Sequence, residues 1–327
     1  MQLPQFEYLK PATLSEGLAM LAEHRADVKI LSGGSDLLIN MKFGLDTPRY
    51  LVSFNGLEEL VAIQERPDGG LRIGAACTLT DLVRDPKIET QLPALRDAIH
   101  SVGSRHIRNV GTLGGNLCLD TRCWYTNQSE NWRATRDGCF KTDQELCHVI
   151  KTSTRCHALN TSDTAPMLMA LDATVELSSA AGTREVPLLE FYREDGVQHT
   201  VREPEELLTA VLVPRFDGRA VFSKLAQREG LDFAAGTLAV AVTGTNEAPR
   251  SVRLVMGSIA AAPKALAGCE AILLEQGIND ASIDAAASAA RDALGKITNL
   301  FTPSGYKRRL IKNFVREALA ELRDQAD

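Results

Sequence analysis

Apolar and polar positions along this chain follow first one period and then another. Thr13-Leu14-Ser15-Glu16 has the form of a capping box, in which a hydroxyl and a carboxylate satisfy the free amides of a helix start. Leu14, Leu18 and Leu21 then recur at helical spacing, which predicts a helix. The apolar run Val28-Lys29-Ile30-Leu31 predicts a short strand leading into Ser32-Gly33-Gly34-Ser35-Asp36. Strand patterns return at residues 50–54, 61–64 and 71–76. Pro93 opens a helical stretch ending at Ile99, and a glycine-rich loop covers residues 111–116.

The pattern breaks from about residue 118 to 160. This segment is polar and without period, yet it holds five of the seven cysteines and both tryptophans, Trp124 and Trp132. An unstructured loop of that length is uncommon in a compact domain unless it is functional or disordered, and the tryptophans oppose disorder. Regular patterning resumes after Asp163-Thr164-Ala165-Pro166, with a helix at 167–171 and a strand at 173–178. Residues 214–218 read as a linker. Strands at 221–225, 236–243 and 251–259 follow, then helices at 265–275, 283–294 and 306–322. Strands first and helices afterwards predict a separate α+β unit. The fold class is α+β, with two units at 1–216 and 217–327.

A chain of 327 residues exceeds the usual span of one core. Its net charge of −6 opposes nucleic-acid binding, which needs a basic face. No apolar run approaches the roughly 18 residues of a membrane span, and the N-terminal stretch lacks signal-peptide character. A cytoplasmic location is expected, where disulfides are rare, so the cysteines read as thiols or metal ligands.

Gly33-Gly34 and Gly114-Gly115-Asn116 each suit close approach of backbone amides to a phosphate, although neither matches the Rossmann fingerprint. Singly, either reads as a tight turn. Together, Leu31-Ser32-Gly33-Gly34-Ser35-Asp36-Leu37-Leu38, then Gly111-Thr112-Leu113-Gly114-Gly115-Asn116, then Ser162-Asp163-Thr164-Ala165-Pro166 resemble the FAD-binding subunit of the xanthine dehydrogenase and carbon monoxide dehydrogenase family. Phe222-Ser223-Lys224 with Asp232-Phe233-Ala234 resembles the start of that family's C-terminal domain. The resemblance implies a two-subdomain, PCMH-type FAD-binding fold at 1–216 and a CO dehydrogenase flavoprotein-like domain at 217–327. It also implies FAD diphosphate held by residues 31–38 and 111–116, Asp163 near the cofactor and Lys224 near the flavin ring. The alternative for Lys224 and Asp232 is a surface ion pair.

Within the insertion, Cys123, Cys139, Cys147 and Cys156 are spaced C-x15-C-x7-C-x8-C. Four thiolates suit zinc or an iron–sulfur cluster, and free thiols remain an alternative. A neighbouring flavin favours iron, since zinc has no redox chemistry. Trp124, Tyr125, Trp132 and Phe140 are candidates to wall the site from water. Thr121-Arg122-Cys123, Asn127-Gln128-Ser129-Glu130 and Cys147-His148-Val149-Ile150 resemble the 4-hydroxybenzoyl-CoA reductase branch of the family. That resemblance implies a 4Fe-4S cluster on Cys123, Cys139, Cys147 and Cys156. Cys118 is expected near the cluster without ligating it. Cys77 is expected in a strand and Cys269 in a helix, both as buried apolar groups. His148 and His157 are substitute ligand candidates.

No nucleophile or general-base motif stands out, and an electron relay needs none. The resemblance implies a molybdenum-cofactor large subunit, a small subunit with 2Fe-2S clusters, and ferredoxin as donor for reductive dehydroxylation. Two rivals remain: an oxidative molybdenum hydroxylase, and a zinc-stapled FAD scaffold.

Overall fold

The computed structural model describes residues 2–228, 230–294 and 304–325. Its first layer is a small parallel sheet in the order β1-β3-β2, with β1 at Glu7–Leu9, β2 at Val28–Leu31 and β3 at Tyr50–Ser53. The helix Leu14–Glu23 packs on it, capped by the Thr13 hydroxyl, which accepts from the Glu16 amide at 3.2 Å. The Glu16 carboxylate reaches one residue beyond the box, to the Ala12 amide.

The second sheet is antiparallel, in the order β4-β5-β8-β6-β7. These strands are β4 Ile63–Glu65, β5 Leu71–Gly74, β6 Thr174–Ser179, β7 Gly182–Pro187 and β8 Leu207–Val213. Central β8 is buried along all seven residues. Its Leu207 joins Leu21, Val52 and Phe54 of the first layer, while Leu208, Val211 and Val213 enter the main core.

The third sheet is antiparallel, in the order β12-β11-β10-β9, with β9 Arg219–Leu225, β10 Gly236–Gly244, β11 Pro249–Gly257 and β12 Lys264–Ala265. The two-residue period of its strands gives it two apolar faces. Leu238, Val240, Leu254 and Met256 pack under the helices Ala267–Gln276, Asp280–Ala293 and Ser304–Asp324. Ala239, Ala241 and Val255 turn the other way, toward the fully buried helix Thr164–Ala170. That helix is the apolar seam between the second and third sheets.

Several local expectations change. Residues 113–117, expected as loop, form the short helix Leu113–Leu117, because the Thr112 hydroxyl caps it through the Gly115 amide. Residue 61 belongs to the end of a 3-10 turn, not to a strand. Cys77 lies in the turn after β5, buried as expected, and its thiol bonds to Val61 O at 3.1 Å. Cys269 is buried in its helix. The insertion carries a helical turn at Glu130–Arg133, a 3-10 turn at Phe140–Thr142, and one bridge, Arg122 to Leu159, that closes its base. Among the described residues no helix is long and apolar enough to cross a membrane.

Candidate functional site

The two glycine loops meet. A Cβ on Gly33 would stand 2.0 Å from Val110 O, so the first loop lies directly against the backbone that leads into the second. The hydroxyls of Ser32 and Thr112 share a 2.9 Å hydrogen bond across this contact. The Asp163 loop joins through Asn116, whose Oδ1 accepts from the Ser162 and Thr164 hydroxyls, each at 2.7 Å. Three motifs distant in sequence thus form one hydrogen-bonded wall.

That wall lines a cleft of about 770 Å³, within the usual range for a cofactor site. Ser32, Gly33, Gly34, Ser35, Asp36 and Leu37 face it from one loop; Gly111, Thr112, Gly114, Gly115 and Asn116 face it from the other. Asp163 and Lys224 line it as well. Leu31, Leu38 and Leu113 do not. Leu113 is wholly buried in the core, and Leu31 and Leu38 pack beside Gly34.

The two loops do different work. Among the described residues, the amides of Gly33, Gly34, Ser35 and Asp36 find no acceptor in the protein, and Gly34 has the left-handed φ of 71°. Consecutive unpaired amides around a left-handed residue form a concave nest for an anion. Most of the second loop's amides are already used: Gly111 donates to Ile107 O, Leu113 to Cys77 O, Gly114 to Ala75 O, Gly115 to Thr112 Oγ1 and Asn116 to Thr112 O, which leaves only the Thr112 amide without an acceptor among the described residues. Gly114 is glycine for packing, because a Cβ there would sit 2.7 Å from Ala75 Cβ. A run of consecutive free amides is thus found on the first loop, and the second packs against it. Arg122 also lines the cleft and pairs with Asp36. Its buried Nε has no partner among the described residues, an unmet donor of the kind a bound ligand satisfies.

Lys224 pairs with Asp163 at 2.7 Å and donates to Ser101 O at 2.9 Å; Asp232 instead faces Arg228 at 3.8 Å. The surface pair considered for Lys224 and Asp232 is absent, since β9 carries Lys224 inward against the helix Pro93–His100. Burial pushes the Asp163 carboxyl above its ordinary value, and Lys224 opposes this. Replacing Asp163 by Ala strands a buried ammonium, at a cost of about 3 kcal/mol. A clear fall in Tm by differential scanning calorimetry is the expected result, and an unchanged Tm would make the pair dispensable.

Cys123, Cys139, Cys147 and Cys156 line one small pocket with Tyr125, Phe140 and Leu146. Amides of Ile150 and Ala158 donate to the sulfurs of Cys147 and Cys156, each at 3.4 Å, and the Thr126 hydroxyl lies 3.6 Å from Cys139 Sγ. Burial pushes the Cys156 thiol up to about 11. The pocket's volume is about 10 Å³, and among the described residues no group of three His, Cys, Asp or Glu is arranged to hold a metal ion. Four thiols in an apolar lining are the donor chemistry of a thiolate-bound centre. Trp124 is 47% exposed, and Trp132 stacks under Arg136, so neither walls this pocket. His148 and His157 also line this pocket, and one nitrogen of each ring is engaged elsewhere, His148 Nε2 with Asp137 O and His157 Nε2 with Ser153 Oγ. Cys118 lines the main cleft, not the cysteine pocket. Unforeseen in the sequence were Arg122, Asp120 and Lys141, which line the cleft from the insertion.

An amide nest opening on a deep cleft between a mixed α/β body and an α+β domain defines a nucleotide-cofactor-binding subunit. Residues 4–216 match the FAD-binding domain of molybdopterin dehydrogenases, and residues 221–322 match the CO dehydrogenase flavoprotein C-terminal domain. The chain belongs to the FAD-binding medium subunits of the molybdenum hydroxylase and CO dehydrogenase family, and is a subunit of an oxidoreductase. It is 32% identical to the aldehyde oxidoreductase FAD-binding subunit PaoB of Escherichia coli, over 98% of this chain and 99% of that one. It is 26% identical to the carbon monoxide dehydrogenase medium chain of Hydrogenophaga pseudoflava, over 97% and 96%. A solved carbon monoxide dehydrogenase from that organism superposes with a TM-score of 0.82 at 25% identity, covering 98% of each chain.

Proposed function

We propose that this chain is the electron-transfer subunit of a molybdenum enzyme, with FAD in the main cleft and a 4Fe-4S cluster on Cys123, Cys139, Cys147 and Cys156. The observation that carries the reading is the convergence of these four cysteines, spread over an insertion, on one pocket beside the cleft. FAD, when bound, exchanges electron pairs for single electrons, and a thiolate-bound cluster passes them singly. The chain's own part is to hold and insulate. Free amides of residues 33–36 receive the diphosphate, Asp163 and Lys224 close the cleft beneath the third sheet, and Tyr125 and Phe140 keep water from the sulfurs. The domain division at 216 follows the linker before β9. A large subunit with the molybdenum cofactor and a small 2Fe-2S subunit are the partners.

The finer reading is a 4-hydroxybenzoyl-CoA reductase-type enzyme, with electrons from a cytoplasmic ferredoxin reaching molybdenum through this chain. It rests on the cysteine-bearing insertion. A second reading, an oxidative dehydrogenase passing electrons outward, is favoured by the relatives' names: aldehyde oxidoreductase, carbon monoxide dehydrogenase and nicotinate dehydrogenase. The zinc-stapled scaffold is the remaining rival. Anaerobic purification of the whole complex tests all three through metal content and turnover. Iron on this chain, with ferredoxin-driven reduction of 4-hydroxybenzoyl-CoA, supports the reductase. Iron with substrate oxidation only supports the dehydrogenase, and zinc in place of iron supports the scaffold.

A further inference from the structure

One buried cation lines the cleft on the turn that follows a pocket cysteine. Lys141 lies in the turn Phe140–Thr142, directly after Cys139, with its side chain 9% exposed. Its Nζ donates to Asp120 Oδ1 at 2.7 Å and to Thr121 O and Oγ1, each at 2.9 Å. Three acceptors leave the ammonium no freedom to swing. Lys141 forms part of the cleft wall, and so does Thr126, which at the same time lines the cysteine pocket. The partition there is a single layer of side chains. On the cysteine side the lysine is placed by the chain itself: it follows Cys139 in the same turn, and its ammonium is held on Thr121, two residues before Cys123. On the cleft side the lysine is joined through Asp120, whose amide donates to Asp36 Oδ2, to the loop that carries the anion nest.

We propose that Lys141 is a positioning group shared by the two electron sites, its fixed charge acting on both so that their reduction potentials rise and fall together. The inference rests on the FAD and cluster reading above. Adding an electron to either centre adds negative charge, and a cation held in a low-dielectric wall favours that state at both. Asp120 is the opposing charge, and the balance of the pair sets the common offset. A fixed carboxylate–ammonium pair near both centres moves their absolute potentials in the same direction.

The test is an anaerobic potentiometric titration of the purified whole complex. Flavin is followed by absorbance, and the cluster by its paramagnetic resonance signal. Lys141→Gln removes the cation and leaves Asp120, so both potentials fall; the expected size is about tenfold in the reduced-to-oxidised ratio, or 59 mV for a one-electron couple. Asp120→Asn keeps the cation without its counter-charge, so both potentials rise. Lys141→Arg stays near wild type. Opposite signs in the Gln and Asn variants separate a charge effect from structural disturbance, which moves both variants alike. Where Lys141→Gln fails to assemble, Asp120→Asn decides alone. A flavin potential that stays fixed while the cluster moves overturns the shared role, and so do shifts of the same sign in both variants. A wild-type complex without iron overturns the cluster reading and this inference with it. Iron present with both potentials unmoved overturns the inference alone.

Discussion

A complex carrying Gly33→Ala is expected to lose its FAD, retaining less than about a tenth of wild-type content after gel filtration. The added Cβ would lie 2.0 Å from Val110 O and 2.6 Å from Val110 C, both backbone atoms with no rotamer by which to yield. The two loops must part. The Ser32–Thr112 hydrogen bond that joins them is then stretched, and the unpaired amides of residues 33–36 no longer converge. Overpacking of this kind costs about 1–3 kcal/mol, which falls on the loops and the bound cofactor rather than on the distant third sheet. Flavin content and Tm of the apo-complex together check the claim. Gly114→Ala is the contrasting variant. Its Cβ meets Ala75 inside the core, so Tm falls first and flavin is lost only with the fold. Flavin content unchanged in Gly33→Ala would reduce the first loop to a tight turn.

That contrast marks where the sequence was legible. The order of the three glycine and Ser-Asp motifs pointed to one cofactor wall, and their side chains do line one cleft. Which glycine is pressed against the other loop and which against the core was not legible, because the answer depends on Val110 and Ala75, neither of which belongs to the same tight turn. Elements with one buried face were visible through their period, as with Leu14, Leu18 and Leu21 on the first helix. Strand β8 was missed for the opposite reason: both its faces are buried, so Leu207–Val213 shows no alternation to read. The insertion had no period because hydrogen bonds hold it instead. Arg122 anchors it to Asp36, Arg133 to the carbonyls of Phe43 and Gly44, and Lys141 to Asp120 and Thr121. Such long-range polar pairing leaves no pattern along the chain. Cysteine spacing was the one signal there that survived folding as a shared pocket.

On the cluster reading proposed above, replacing Cys139 by Ser is expected to remove about four irons from each chain of the complex while leaving most of the FAD. Cys139 is 9% exposed and sits at the start of the Phe140–Thr142 turn, where two hydroxyls, of Thr126 and Thr142, approach its sulfur. A serine oxygen is shorter in reach and harder as a ligand, and three thiolates hold a four-iron centre poorly. The amide nest lies on the first loop, outside the insertion, so the cleft keeps those free amides. A partial loss of flavin is expected all the same, since Arg122 beside Cys123 pairs with Asp36 of that loop. Turnover driven by reduced ferredoxin should stop, whereas artificial dyes that reach the other centres should still support it. The measurements are iron and flavin per chain, then rates with each donor. Ferredoxin-driven rates that persist after the iron is gone would make the centre a structural clamp across the insertion, with electrons entering the flavin directly.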